Sequence, residues 1–199
     1  MRMRTVVMVL AGLGLGALLA CQPSAAPKDS GDDFHPAWDM PREAETANPA
    51  AIADEDFLIQ AAHANLYEIN LGRLAERKAT NADVQSFGRH MIEDHSASME
   101  DLTKLARKKG IPLPPGADDA QNRREAELAK KSGADFDQQY VRMMVEDHVN
   151  AVSLFKEYSE HAADLDIRAW AETTLPTLRE HLKMARDLDA KIGGHGAPD

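Results

Sequence analysis

The sequence predicts an all-α protein whose folded domain is a four-helix bundle, two antiparallel hairpins joined by one long connection. Three observations lead there. Aromatic residues make up only 5% of the 199, whereas Ala, Leu, Met, Glu, Lys and Arg, most of which lose little side-chain freedom in a helix, are abundant. Apolar residues recur at intervals of three and four over four long stretches between residues 54 and 192, the period of one helical face. Proline falls between those stretches rather than within them, with Pro176 the exception, and glycine and capping residues mark their ends.

The start of the chain reads as targeting information. Arg2 and Arg4 precede an uncharged apolar run from Val6 to Ala20, the layout of a secretory signal and short for a spanning helix. Its end, Leu18-Leu19-Ala20-Cys21, resembles the bacterial lipobox, so residues 1–20 are expected to be a signal peptide and Cys21 to be lipidated. Acyl chains there would hold the protein at a membrane surface. Cys21 is the only cysteine, which rules out an internal disulfide. Residues 21–53, with Pro23, Pro27, Pro36, Pro41 and Pro49, cannot bury enough apolar surface to order themselves and are expected to be a disordered tether.

The bundle is expected over residues 54–192. Helix one should begin at Asp54 or Asp56, acidic residues suited to an N-cap or first turn, and run to about Lys78. Thr80 to Asp83 resembles a capping box that opens helix two, which ends near Lys109 before Gly110 and Pro112, with three basic residues in its last turn. A long connection follows, in which the charged run Arg123 to Lys131 is suited to a short extra helix. Helix three should follow Ser132 and reach about Ala162. Helix four should run from Asp166 to near Ile192, with a kink or break at Pro176, and residues 193–199 form a flexible tail.

Two near-copies of one motif stand out: His90-Met-Ile-Glu-Asp-His95 and Met143-Met-Val-Glu-Asp-His148. On helix two, Val84, Gly88, Met91, His95, Met99 and Leu102 share the inward face, with Asp94 at its edge and Glu93 turned outward. Helix three repeats the division: His148 inward, Asp147 at the edge, Glu146 outward. His181 lies near the apolar face of helix four, and on helix one Glu68 interrupts a face of Phe57, Ala61, Ala64, Gly72 and Ala75. Counting 1.5 Å per residue from the turns places His95, His148 and His181 in one layer, with Glu68 offset from His95 by about 7 Å. His63 matches the height better but points away from Glu68.

Such a layer is what a transition metal needs: neutral imidazoles as ligands, Glu68 as a further ligand or support, and Asp94 and Asp147 to orient ring N–H groups. The same residues would also serve as hydrogen-bonded core histidines that hold the helices in register without metal. Methionine at helical spacing is core filler. A net charge of −10 excludes nucleic acid as a partner, because phosphate binding needs a basic face. No nucleophilic triad or phosphate-binding loop is present.

The order of motifs, with residues 65–95, 136–148 (FDQQYVRMMVEDH) and 174–182 (TLPTLREHL), resembles a bacterial domain-of-unknown-function family numbered 4142. The resemblance implies a ferritin-like bundle in an envelope protein or lipoprotein and carries no assigned activity. Position by position it points to Glu68, the Asp94-His95 pair, His148, Leu175-Pro176 and His181. Ferritin and other di-iron bundles use Glu-x-x-His on two helices; none occurs at the motif positions, so a histidine-rich site for Zn, Cu, Ni or Fe is expected instead. The expected protein is thus membrane-tethered, facing the periplasm or cell exterior, with a metal-binding bundle. A metalloenzyme handling oxygen species and a metal-free structural or partner-binding bundle are the alternatives.

Overall fold

A computed structural model describes residues 49–193, which form five helices and, among the described residues, no strand. Helix α1 spans Pro49–Lys78, α2 Ala82–Lys109, α3 Asp119–Ala129, α4 Gly133–His161 and α5 Leu165–Ile192. The start of α1 corrects the expected boundary at Asp54 or Asp56: Pro49 to Ala53, assigned to the tether, are helical. Proline suits a first helical residue, whose N–H would have no partner in the helix. The signal segment, Cys21, the rest of the tether and residues 194–199 lie outside the described residues.

Local chemistry sets each boundary. Asn81, rather than Thr80, caps α2, its side chain accepting from the Asp83 and Val84 amides. Gly110 ends that helix in the left-handed conformation at φ 72°, which glycine adopts without a Cβ clash. Helix α3 is the extra helix expected from the charged run. It begins at Asp119 because Asp118 and Gln121 form a reciprocal capping box upstream of that run. Helix α5 continues unbroken through Pro176, whose exposed position leaves the carbonyl it cannot satisfy facing water.

The four long helices pack as two hairpins, α1 against α2 and α4 against α5, which meet through α2 with α5 and α1 with α4. Within the first hairpin the backbones approach closely where the stripes carry glycine: a Cβ on Gly72 would stand 2.6 Å from the Gly88 carbonyl oxygen. The core divides into two apolar clusters. One surrounds Leu71, Val84, Met91, Phe136, Tyr140 and Met144, and the other Phe57, Leu58, Leu102, Phe155, Ile167 and Leu178.

The hairpins also fasten each other. Asp137 of α4, buried at 4% exposure, accepts from the Thr80 and Asn81 amides and the Thr80 hydroxyl in the α1–α2 turn. Asp54 of α1 accepts from the Ala163 and Asp164 amides in the α4–α5 turn. Asp164 caps α5 as Asn81 caps α2. Lys108 pairs with Asp166 and Lys191 with Asp83. One constant interval along the chain separates Asp54 from Asp137, Asn81 from Asp164, Asp83 from Asp166 and Lys108 from Lys191, so the second hairpin repeats the first. This is a different register from the repeated Glu-Asp-His motif, which by itself pointed away from a tandem pair of hairpins.

Asp137→Ala is expected to lower stability by about 2–4 kcal/mol, because it strands buried backbone amides across a tertiary contact. Asp54→Ala should cost a comparable amount. Urea unfolding of both variants checks this, and a loss under about 0.5 kcal/mol would contradict the role given to these carboxylates.

Candidate metal centre

A buried polar layer separates the two apolar clusters, and each long helix contributes one residue to it. On α2, His95 lies between Met91 of one cluster and Leu102 of the other; His148 on α4, His181 on α5 and Asn65 on α1 occupy the corresponding places. All four are buried, His148 and His181 to 1% exposure. The structure therefore brings His95, His148 and His181 together. Their rings lie 5.2–5.7 Å apart between centroids, and each offers one nitrogen within 4.8 Å of the others'.

Hydrogen bonding determines which nitrogen each ring turns inward. His95 Nδ1 donates to the Asn65 side-chain carbonyl at 2.9 Å, His148 Nδ1 to the Met144 backbone carbonyl at 2.9 Å, and His181 Nε2 to the Asp94 carboxylate at 2.8 Å. A neutral imidazole has a single N–H, so these bonds fix the tautomers. The lone pairs left over sit on His95 Nε2, His148 Nε2 and His181 Nδ1. His148 Nε2 and His181 Nδ1 face each other at 3.3 Å, and His95 Nε2 is buried without a partner. Two lone pairs at that separation repel unless a positive charge lies between or beside them. Rings held from behind by acceptors with their lone pairs converging have the arrangement of metal-bound histidines.

The electrostatics keep the rings neutral. Burial, then the neighbouring histidines, hold His95 well below the ordinary histidine range. Burial and His181 bring His148 down to about 4, against the Met144 hydrogen bond. Burial also lowers His181, although the Asp94 carboxylate opposes it. Neutral imidazole is the ligand form.

The other expected residues are placed differently. Asp94 supports His181 on another helix rather than its neighbour His95, and it also pairs with His90 at 3.3 Å. Asp147 does not reach a histidine. It accepts from Arg124 of α3 at 2.6 Å, and its second oxygen is buried without a partner. Glu68 is buried on α1 but lies outside the three-histidine group, about one turn beyond Asn65 toward the Leu71 cluster. Burial, and secondarily Asp147, push its carboxyl well above the ordinary range. Glu93 and Glu146 are exposed, as the helical pattern indicates. His63 Nδ1 donates to the Gly116 backbone carbonyl at 2.7 Å, tying the long connection to α1.

A cavity of about 540 Å³ adjoins this layer. Its wall includes His95, His148, Glu68, Asp147, Tyr67 and Ser98, and Arg124 of α3 also lines it. Sequence reasoning missed Asn65, His90 and Arg124. Asn65 was findable, because pairing residues about the α1–α2 turn sets it opposite His95. His90 was visible at the i,i+4 spacing to Asp94. Nothing in the sequence marks Arg124 among the charges around it.

The signs of these shifts predict the pH dependence of the metal-free protein. The unfolded chain protonates its histidines near their ordinary value of 6.5, whereas the folded one resists, His148 down to about 4. Stability from the neutral layer is thus full above pH 6.5 and is lost as pH falls toward 4. Glu68 acts in the opposite sense, its contribution fading as pH rises above 4.5. Urea midpoints between pH 4 and 7 should rise with pH, and more steeply in Glu68→Gln. A flat profile would contradict the neutral histidine layer.

Comparison with known structures places the fold. A DUF305 protein from Streptomyces coelicolor has 14% identity and a TM-score of 0.61 over 74% of this chain and 96% of its own. A DUF305 fragment from Deinococcus radiodurans has 15% identity and a TM-score of 0.61 over 73% and 97%. A conserved hypothetical protein from Mycobacterium tuberculosis has 20% identity and a TM-score of 0.56 over 75% and 97%. At these identities the likeness is one of fold. No curated protein matches the chain. A family described as a domain of unknown function, DUF4142, matches residues 39–188, and the chain belongs to that family.

Proposed function

We propose that this protein is a membrane-tethered bacterial envelope protein whose helical bundle holds one divalent transition metal on His95, His148 and His181. The observation that supports it most directly is the convergence of three ring nitrogens whose lone pairs have no proton donor, two of them 3.3 Å apart. Imidazole ligands suit Zn, Cu, Ni or Fe. Three nitrogens from three helices beside a cavity would leave a coordination position open to it, the arrangement of reactive rather than purely structural sites. This favours the metalloenzyme alternative over simple storage. The ferritin-like reading belongs to the same proposal, with two hairpins joined by a long connection and the site between them, but with histidines in place of the Glu-x-x-His ligands of di-iron bundles.

Protein purified without a histidine tag is expected to carry about one metal per chain by elemental analysis. Chelation should lower its melting temperature, and His95→Ala with His148→Ala should abolish binding. A wild-type protein with only trace metal and no response to chelator favours the metal-free alternative, in which the histidines serve only as pH-sensitive core groups.

Membrane attachment is the second half of the proposal. No helix among the described residues is long and apolar enough to cross a membrane, and lipidation of Cys21 would supply the anchor. Cys21→Ser is expected to move the protein from the membrane fraction to the soluble envelope fraction. Retention of the variant in the membrane fraction would remove the lipid-anchor reading.

A further inference from the structure

Among the described residues, the buried polar atoms that lack a partner concentrate in one place. Of the buried side-chain oxygens and nitrogens that lack a partner, those of Tyr67, Glu68, His95, Ser98 and Asp147 all belong to residues lining the cavity beside the histidine layer. Buried polar groups are satisfied by protein, water or ligand, and orphans gathered around one cavity mark where a ligand's polar end belongs. The same cavity has an apolar lining from Ala61, Ala151, Leu154, Phe155 and Leu178. At about 540 Å³ the space is that of a small-molecule site.

We propose that this cavity binds a small amphipathic monocarboxylate, its carboxylate among Tyr67, Ser98 and the open face of the metal centre, and its apolar body against Leu154, Phe155 and Leu178. This rests on the metal reading above. The hydroxyls of Tyr67 and Ser98 have no acceptor in the protein, so each can donate to a carboxylate oxygen. Glu68 lines the same space, and burial pushes its carboxyl well above the ordinary range, toward the form that can donate. The charges agree when metal is present: Arg124 offsets Asp147 at 2.6 Å, and a divalent ion on neutral imidazoles leaves positive charge for an anion. Two carboxylates oppose an anion: Asp147, whose ion pair with Arg124 limits the opposition, and Asp118, which lines the cavity from an exposed position where water screens it. Without metal the cavity holds no net positive charge, and an anion has no reason to enter.

The experiment uses the full chain, loaded with zinc and in its chelated form, titrated calorimetrically with sodium acetate, butyrate and hexanoate, with hexylammonium as the cation control. Saturable hexanoate binding to the zinc form alone is expected, tightening about fourfold per added methylene from acetate to hexanoate. Tyr67→Phe and Ser98→Ala should each weaken it about fivefold or more while leaving zinc stoichiometry and the far-ultraviolet circular dichroism spectrum unchanged. Zinc uptake without saturable hexanoate binding overturns this inference and leaves the metal centre standing. Failure to take up zinc overturns both, and hexylammonium binding more tightly than hexanoate overturns the assignment of an anion.

Discussion

The structure depends on a polar layer that it must bury. Asn65, His95, His148 and His181 sit between two apolar clusters, in an interior where an unpaired polar group costs about 1–3 kcal/mol. Each outer nitrogen is satisfied by an acceptor from the protein: a side-chain amide, a backbone carbonyl and a carboxylate. Two of those acceptors lie on other helices, Asn65 of α1 for His95 and Asp94 of α2 for His181, so these bonds tie the heights of α1, α2 and α5, whereas Met144 lies on α4 with His148. Sliding α1, α2 or α5 by a turn would strand one of these partners. The inward nitrogens are left without donors as a consequence of satisfying the outward ones.

The register that this layer needs is fixed at the ends of the bundle. Asp54 and Asp137 each reach from the start of one hairpin to the turn of the other, and the Lys108–Asp166 and Lys191–Asp83 pairs follow the same interval. The scaffold is therefore internally repeated while its centre is not. At that interval His148 corresponds to Asn65, His95 to Leu178 and His181 to Ser98. The stability devices recur because both hairpins face the same problem of closing a turn against a neighbouring helix. The chemistry lies where the repeat is broken, and the connection with α3 adds to one side only, bringing Arg124 to Asp147.

Among the unpartnered buried atoms that line the cavity, His95 contributes a nitrogen lone pair, whereas Tyr67, Glu68, Ser98 and Asp147 contribute oxygens. Glu68 and Asp147 share one counter-cation, and burial of both raises their carboxyls above the ordinary range. Glu68, about one turn beyond Asn65, stands apart from the histidines although the sequence put it on the inward face.

The sequence by itself determined the helices and which residues face inward. Periodicity of three and four depends only on backbone geometry, so His95, His148 and His181 could be set inside and Glu93 and Glu146 outside from local pattern alone. The cap at Gly110 acts over a few residues, and the stop after Lys109 follows from it. Pairings across the bundle were not local. That Asp94 would hold His181, that Asp147 would turn to Arg124, and that Asn65 rather than Glu68 would complete the layer depend on the rotation and height of one helix against another. Gly72 and Gly88 set that approach in one hairpin and the Asp54 and Asp137 contacts set it between them. Only the tertiary structure decided those pairings, because a side chain's partner is chosen by helices that lie far apart in the sequence.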